Sequence, residues 1–392
     1  MAVVGPGSPS ALHQANLARV LAAVSGAHDG LTQAEIGRQT GLSAASVTNL
    51  VRQLATSGEV AVTWELRAGR RSRVVTPTPA HRFVIGLDLG RTHIRGGVAT
   101  LDHRLLAQQY RPMETEPSVS DTLAKCADLM AVLLHQASLT RTDIAAMVVG
   151  VPGPLDSASG EIGAGAVLPE LSGIHLERRF SEALDFPVVV ENDANLGALG
   201  EFTWATAAGP AAPQVYVRLS TGIGCGIVID GSRLWRGASG TAGELGHISL
   251  DPSGRLCRCG NRGCLETTAS TPALLENLSE AMERPVTLPE WLAMATRGQS
   301  ASVRLLEEMG RHVGAAIASL VNLINPAVVV IGGPVTASGD LLLAPVKQAI
   351  IQRSMPSPGA VVKVRLPRHP DLSELHGALA LAATHAPPGF NT

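Results

Sequence analysis

The sequence lacks the features of a membrane-spanning or exported protein. No stretch of its 392 residues approaches the about 20 apolar residues of a transmembrane helix. The first ten residues, MAVVGPGSPS, lack the basic start and apolar block of a signal peptide. Charged residues make up only 16% and hydrophobic residues 45%, which excludes a charge-rich disordered chain. We therefore expect a well-packed cytoplasmic protein with two or three domains.

Lysine is absent from the first 80 residues, yet this segment is basic. It holds seven arginines and four acidic residues, a net charge of +3, which leaves −5 for the remainder. A basic segment on an acidic remainder fits the binding of a polyanion through that segment alone. Ordinary fluctuation of composition is the alternative explanation for an excess of this size.

The basic segment has the pattern of three helices and a hairpin. Apolar residues at helical spacing predict a first helix over 12–24. Thr32 and Glu35 have the spacing of a capping box, which predicts a second helix ending at Gly41. Ser43 predicts the start of a third helix, whose inward face carries Val47, Leu50, Val51 and Leu54. Two extended runs around an arginine-rich tip follow, up to Thr76.

This order of elements predicts a winged helix-turn-helix over residues 1–76 that binds an operator in double-stranded DNA. The third helix would enter the major groove and the hairpin would approach the backbone. Small, polar and basic side chains are the candidates for DNA contacts: Ala44, Ala45, Ser46, Thr48, Asn49, Arg52, Arg70, Arg71 and Arg73. The alternative is a helical bundle for protein contacts with a solvated basic hairpin. Because paired heads match two half-sites, we expect a homodimer, with the helix at 302–324 as one candidate contact.

Beyond a proline-containing linker at 77–81, the pattern predicts an α/β body over 82–392. Strand-like runs alternate with helical stretches, and no short-period repeat is present. The predicted strands are 83–89, 144–151, 187–191, 215–219, 225–229 and 327–331. The predicted helices are 121–137, 194–207, 271–282, 302–324 and 340–352.

The cysteines indicate a metal site. Their odd number, five, argues against a disulfide framework. Cys257, Cys259 and Cys264 lie within eight residues, and His247 lies ten residues upstream. Three thiolates and one imidazole complete a tetrahedral zinc site with no open position, so we predict structural Zn²⁺. Buried thiols without a metal are the alternative.

Carboxylates and amides near this motif indicate a polyhydroxyl ligand. Glu244 and Glu266 flank the cysteine loop and suit recognition of vicinal hydroxyls. Asn192 and Asp193 follow an apolar strand, where the carboxylate would act as a general base on one hydroxyl and the amide would bind its neighbour. Asn and Asp are also good helix N-caps, which is the structural alternative.

Residues 83–380 resemble the ROK family of sugar kinases and repressors. The resemblance is carried by VPGPLD (151–156), ENDANLGALGE (191–201), the stretch at 220–266 and NPAVVVIGGPV (325–335). It implies a bilobed ribonuclease-H/actin-like, sugar-kinase-like body whose C-terminal helix returns to the first lobe. The N-terminal winged helix is similar to that of the family's repressors.

The resemblance also implies roles for individual residues. It assigns Asn192, Asp193, Glu244, His247 and Glu266 to the sugar, with Asp193 as the catalytic base of the kinases. It assigns Zn²⁺ to His247, Cys257, Cys259 and Cys264. Its ATP and Mg²⁺ site corresponds to Asp88, Gly90, Thr92, Thr221, Gly222, Gly224, Gly332 and Gly333.

Two departures from the family pattern stand out. The kinase phosphate loop reads D-x-G-G-T, whereas here Arg91 replaces the second glycine, which opposes ATP binding. A stretch that reads P-N-L-P-G-W in many of the kinases has Glu170 and Ile174 instead, which predicts an altered sugar pocket.

Together these features predict a sugar-responsive DNA-binding regulator of the repressor type. Its operator binding would change when a sugar or sugar derivative binds between the lobes. The principal alternative is an active ATP-dependent sugar kinase that also binds DNA.

Overall fold

The computed structural model describes residues 9–25, 27, 30–56, 60–67, 70–77, 83–113, 118–163, 171–204 and 211–386. The N-terminal head consists of three helices and a small antiparallel sheet with strand order β1-β3-β2. Its elements are α1 (Pro9–Ser25), β1 (Leu31–Thr32), α2 (Gln33–Thr40), α3 (Ala44–Thr56), β2 (Val60–Arg67) and β3 (Arg70–Pro77). The predicted linker at 77–81 lies outside the described residues beyond Pro77.

The local signals of the head have their predicted effects. Thr32 and Glu35 form the capping box at the start of α2, and Gly41 ends that helix in the left-handed conformation at φ 70°. Ser43 Oγ accepts a hydrogen bond from the backbone N–H of Ser46, 3.2 Å away, at the start of α3. The predicted inward face of α3 is buried in the head's core with Val20, Ile36 and Val75.

The body contains two sheets among its described residues. The first has strand order β6-β5-β4-β7-β8, and the second β10-β9-β11-β12. The strands are β4 (Phe83–Leu89), β5 (His93–Thr100), β6 (Leu105–Pro112), β7 (Ile144–Val151), β8 (Val188–Asn192), β9 (Gln214–Leu219), β10 (Ile223–Val228), β11 (Val328–Gly332) and β12 (Lys363–Arg365).

The helices cover the outer faces of both sheets and fill the space between them. They are α4 (Val119–Ala137), α5 (Leu176–Leu184), α6 (Asp193–Thr203), α7 (Leu265–Ala269), α8 (Thr271–Ala281), α9 (Leu288–Thr296), α10 (Ser300–Ile324), α11 (Asp340–Arg353), α12 (Pro356–Val361) and α13 (Ser373–His385). Of the described helices, none combines the length and apolar character needed to cross a lipid bilayer.

A central pair of helices joins the two lobes. The first lobe is the sheet β4–β8 with α4 and α5, and the second is the sheet β9–β12 with α7–α12. Helix α6 packs against β9 and β10, and α13 packs against β4, β7 and α6. Their apolar residues share one core with both sheets, including Val148 of the first and Val330 of the second. The C-terminal helix therefore lies against the first-lobe sheet, although it begins 181 positions after the end of β8.

Glycines allow the backbones of α6 and α13 to approach closely. A Cβ at Gly377 would lie 1.8 Å from the carbonyl oxygen of Leu196, and one at Gly200 would lie 2.0 Å from that of Ser373. Atoms this close would force the helices apart, because backbone cannot move aside as a flexible side chain does.

We expect Gly377→Ala to lower the free energy of unfolding of the body by about 1–3 kcal/mol through overpacking. Thermal unfolding of the full chain measures the change. Thr384→Ala, on the exposed face of the same helix, controls for the gain in helix propensity and should leave the midpoint nearly unchanged. Equal midpoints for wild type and Gly377→Ala would contradict the close approach.

Candidate functional site

A cleft between the lobes is lined by loops from both sheets. It brings together the five predicted sugar-binding residues, Asn192, Asp193, Glu244, His247 and Glu266. Thr221 and Gly222 of the turn between β9 and β10 also line it, as does Gly224 of β10. Residues separated by more than 70 positions in sequence thus form one polar surface.

Two of these residues are fixed by hydrogen bonds to the backbone. Asn192 caps α6, because its Oδ1 accepts from the N–H of Asn195 and its Nδ2 donates to the carbonyl of Gly153 at 2.8 Å. Glu266 Oε2 accepts from the N–H of Ile223 at 3.2 Å, and Oε1 pairs with Arg258 Nη2 at 2.6 Å. The N-cap role predicted as the structural alternative for Asn192 is therefore real, and the residue lies at the cleft as well.

The predicted zinc ligands converge at the edge of the same cleft. The candidate donor atoms of His247, Cys257, Cys259 and Cys264 all lie within 4.8 Å of one another. His247 Nδ1 lies 3.5 Å from Cys257 Sγ, and Cys259 Sγ lies 3.7 Å from Cys264 Sγ. Gly260 and Gly263 adopt positive φ of 93° and 61°, which allows the loop to turn sharply enough for the thiols to meet.

These distances fit a tetrahedral zinc ion. Bonds of about 2.3 Å to sulfur and about 2.0–2.1 Å to nitrogen give tetrahedral edges of roughly 3.8 Å between two sulfurs and roughly 3.6 Å between sulfur and nitrogen. Burial and the two neighbouring thiols raise the pKa of Cys264 to about 12, so a thiolate at this position needs a cation beside it. The donor set and these two distances therefore suit Zn²⁺.

The cleft carboxylates have altered proton affinity. Burial raises the pKa of Asp193 to about 6, against the opposing effect of Arg218, whose Nη1 lies 3.2 Å from Asp193 Oδ2. Burial and the nearby Glu266 and Asp193 raise the pKa of Glu244 to about 7. A bound ligand whose hydroxyls donate hydrogen bonds would therefore offset the cost of burying these two carboxylates.

The candidate DNA surface lies on α3 and the hairpin. Ala44, Ala45, Asn49 and Arg52 are exposed along one side of α3, and Ser46 and Thr48 are half-buried. The Thr48 hydroxyl is within 3.0 Å of Gln33 Oε1, so it links α3 to α2. On the hairpin, the ring of Trp64 is exposed and lies beneath two guanidinium groups. Its centroid is 5.8 Å from Cζ of Arg71 and 5.9 Å from Cζ of Arg73. The side chain of Arg70 lies outside the described residues.

Comparison with known families assigns both parts of this architecture. The model described as ROK family matches residues 84–385, and the model described as MarR family matches residues 17–72. The chain belongs to the ROK family. It combines a ROK body with an N-terminal MarR-type winged helix.

Relatives of this protein include both regulators and kinases. The xylose repressor of Caldicellulosiruptor bescii is 28% identical over 90% of this chain and 91% of its own length. A ROK family transcriptional regulator described as a homologue of Escherichia coli Mlc has a solved structure with a TM-score of 0.68 and 26% identity, covering 97% of this chain and 98% of its own. The ROK hexokinase of Thermus thermophilus has a TM-score of 0.62 and 34% identity, covering 77% of this chain and 98% of its own.

In the loop that corresponds to the kinases' first phosphate loop, the His93 ring packs against Gly90 and pairs with Asp88. His93 Nε2 lies 3.2 Å from Asp88 Oδ2, and a Cβ on Gly90 would lie 2.4 Å from His93 Cε1. Burial raises the pKa of Asp88, but the hydrogen bond and charge of His93, together with the charges of Arg218 and Arg95, outweigh it and lower the pKa overall. Asp88, Gly90 and Thr92 are not among the residues that line the described cleft. Gly332 and Gly333 do not line it either. Gly332 ends β11, and Gly333 follows it with a φ of 95°.

The cleft also contains two arginines that the sequence motifs missed. Arg218 is the charged residue of the otherwise apolar or neutral strand QVYVRL, and Arg258 lies between two cysteines. A charge inside a predicted buried strand is a detectable signal, because a buried charge requires a partner. The second departure from the family pattern concerned Glu170 and Ile174. Glu170 lies outside the described residues, and Ile174 packs against the first-lobe core.

Proposed function

We propose that this protein is a transcription regulator of the repressor type. A sugar or sugar derivative in the interlobe cleft sets its affinity for operator DNA. The observation that carries this proposal is the combination, in one chain, of a MarR-type winged helix and a ROK cleft that gathers Asn192, Asp193, Glu244, His247 and Glu266. Relatives with the same two-part organisation include the xylose repressor of C. bescii.

The cleft suits a polyhydroxyl ligand. Amide, carboxylate and imidazole groups converge there, and the fixed Glu266 carboxylate and the Asn192 amide provide acceptors and donors for several hydroxyls. Because the cleft is formed by both lobes, a ligand that contacts both can favour one arrangement of the lobes over another. Regulation requires that the ligand bind the DNA-competent and DNA-incompetent arrangements with different affinity.

Structural Zn²⁺ held by His247 and the three cysteines would connect ligand and loop. Nδ1 of His247 faces Cys257, while Nε2 lies 3.8 Å from Glu244 Oε2 on the cleft side. One ring nitrogen is thus available to the metal and the other to the ligand, which fixes the imidazole in a single orientation.

We divide the chain for this function into a DNA-binding head at 1–76, a linker at 77–81 and a sensor at 82–392. Two heads in a homodimer would read paired half-sites in an operator. Trp64 between Arg71 and Arg73 supports the hairpin as a wing that contacts DNA, because cations and an aromatic ring share one exposed face.

The second candidate is an ATP-dependent sugar kinase that also binds DNA, and identity of 34% to the T. thermophilus hexokinase favours it. Three features of the body oppose it. Arg218 pairs with Asp193, His93 pairs with Asp88, and Arg91 replaces the second loop glycine. A coupled assay with ATP, Mg²⁺ and a panel of sugars decides between them, since turnover lost in Asp193→Asn would establish the kinase.

Genomic-fragment binding tests the regulator directly. The purified full chain should select a small set of fragments, and one of a panel of sugars should change the bound fraction. D-xylose, D-glucose and N-acetyl-D-glucosamine form the initial panel. If no sugar in an extended panel changed that fraction, the sensor half of the proposal would fail.

Glu244→Gln is expected to weaken binding of the responsive sugar about 10- to 100-fold, because a charged hydrogen-bond acceptor becomes a neutral amide. Isothermal titration calorimetry measures the affinity. DNA binding without sugar should stay unchanged. Glu182→Gln, an exposed glutamate on α5, is the matched control and should bind sugar normally. Equal affinities for the two variants would remove Glu244 from the ligand site.

A further inference from the structure

Arg218 is a deeply buried cation at the floor of the cleft. Its side chain is 11% exposed, and it stands near the end of β9, where neighbouring strand residues are apolar. A guanidinium in such surroundings is stable only when its charge and its N–H groups are satisfied by partners.

Its partners lie at the starts of the two central helices. Nη1 of Arg218 lies 3.2 Å from Oδ2 of Asp193, in the first turn of α6. Nε donates to Oε1 of Glu374, in the first turn of α13, at 2.8 Å. The Tyr216 hydroxyl donates to the same Glu374 oxygen at 2.8 Å. One side chain thus joins a second-lobe strand to both helices between the sheets.

The charges around Asp193 make this contact decisive. The titratable groups that act on it from the packed elements are Arg218 on β9, Asp88 on β4 and Glu374 on α13. Asp88 and Glu374 are carboxyl groups and repel a second negative charge, whereas Arg218 attracts it. Without Arg218, Asp193 would be a buried carboxyl group among other carboxyl groups.

We propose that Arg218 is a positioning residue of the sugar site, which fixes the Asp193 carboxylate as a hydrogen-bond acceptor for a ligand hydroxyl and ties it through Glu374 to the C-terminal helix. This inference rests on the proposed sugar-sensing function. A carboxylate held by a guanidinium accepts a hydrogen bond readily but is a weaker base toward the same hydroxyl. The pair therefore favours ligand binding over proton removal from the ligand.

The pair has a measurable pH signature. The pKa of Asp193 is about 6 with Arg218 beside it, and Arg218 opposes the rise that burial causes. Removing the guanidinium raises this pKa further. Sugar affinity of the wild type should fall in two parts as pH decreases, one near pH 7, where Glu244 titrates, and one near pH 6, where Asp193 titrates, and Arg218→Met should move only the Asp193 part to a higher pH.

Calorimetric titration of the full chain with D-xylose, D-glucose and N-acetyl-D-glucosamine between pH 5.5 and 8.5 tests this. At pH 7 we expect Arg218→Met to bind at least about 2-fold more weakly, because a rise of one pKa unit from about 6 lowers the ionised fraction of Asp193 from about nine-tenths to about one-half; a rise of two units would weaken binding about 10-fold. Arg218→Lys should restore most of the affinity. In an Asp193→Asn background, Arg218→Met should cause no shift of the pH profile. Arg233→Met, which removes an exposed arginine paired with Asp230, is the control.

A second measurement does not depend on sugar. Because burial raises the pKa of folded Asp193 above its unfolded value, ionisation destabilises the fold, and Arg218 limits this loss. The thermal midpoint of Arg218→Met should therefore fall progressively below that of the wild type as pH rises from 6 to 8. This widening difference should shrink in the Asp193→Asn background, where only the pair of Arg218 with Glu374 is left to lose.

The two measurements separate the possible failures. If the thermal midpoints show the pairing of Arg218 with Asp193 but no sugar binds, the proposed sensor function is wrong and the ion pair itself is supported. Sugar binding with a pH profile unchanged by Arg218→Met, or a uniform loss that Arg218→Lys does not relieve, would overturn the positioning role.

Discussion

Replacing Cys259 with serine is expected to remove zinc from the purified protein and to weaken sugar binding by about 100-fold or more. Cys259 is the least buried of the three clustered thiols, so the substitution itself disturbs little packing. Loss of one ligand opens the tetrahedral site, and the loop from Leu256 to Cys264 no longer holds His247 and Glu266 in position. We expect the thermal midpoint of the body to fall by about 10 °C or more, since structural zinc contributes roughly 10–16 kcal/mol in small zinc domains.

Plasma mass spectrometry measures the metal content, with one zinc ion per chain expected for the wild type. Cys126→Ala is the matched control, because this buried thiol belongs to the first-lobe core and lies outside the cluster. It should lose some stability but keep its zinc. Wild-type protein that is purified with zinc present and still contains none would establish the alternative of metal-free thiols.

Removing two arginines from the hairpin is the second large expected effect. Arg71→Ala with Arg73→Ala should weaken DNA binding about 10- to 100-fold at moderate salt and reduce the slope of log affinity against log salt by about 2, because each phosphate contact contributes about 0.9 to that slope. The double variant Arg178→Ala with Arg179→Ala, on exposed positions of α5, changes the net charge equally and is the matched control.

Fluorescence anisotropy with a 30-base-pair A·T-rich duplex over a range of KCl concentrations gives both quantities. Trp64→Ala should lower affinity with little change of slope, since it removes contact area and no charge. A salt slope that is the same in the hairpin variant and in the α5 control would favour the alternative in which the head binds protein.

The fold was predicted best where the signal is local. The capping box at Thr32 and Glu35 and the left-handed Gly41 act within a few residues, so the boundaries of α2 follow from the sequence. Strands β4 and β7 begin and end at the predicted residues. Helix α6 was predicted to extend to residue 207, whereas the structure has it end at Thr203.

The parts that were missed depend on distant contacts. Strand β5 contains Gly96 and Gly97, which lower strand propensity but allow close packing by Leu87, Leu133 and Leu375 from other elements. Helix α13 is buried around nearly its whole surface, so it has no amphipathic period, and the family resemblance alone indicated it. In both cases the tertiary partners determine the structure.

The site was predicted in part. Dense motifs place His247, Cys257, Cys259 and Cys264 together, and the structure brings their donor atoms within 4.8 Å of one another. The assignments to sugar and DNA remain predictions, although the five proposed sugar residues line one cleft. The ion pair of Arg218 with Asp193 and Glu374 joins residues up to 181 positions apart in sequence, and nothing in the local pattern of β9 identifies its partners.

The position of α13 between the sheets has a consequence for how the protein is made. The core shared by the two lobes contains Val84 and Val148 together with Leu375 and Leu379, so it stays incomplete on the ribosome until residues 373–385 have emerged. The head closes its core from residues 20–75 and needs no later segment. A nascent chain can therefore hold a folded head before the body has closed its core. Synthesis that stops short of α13 would release a folded head on an unfinished body.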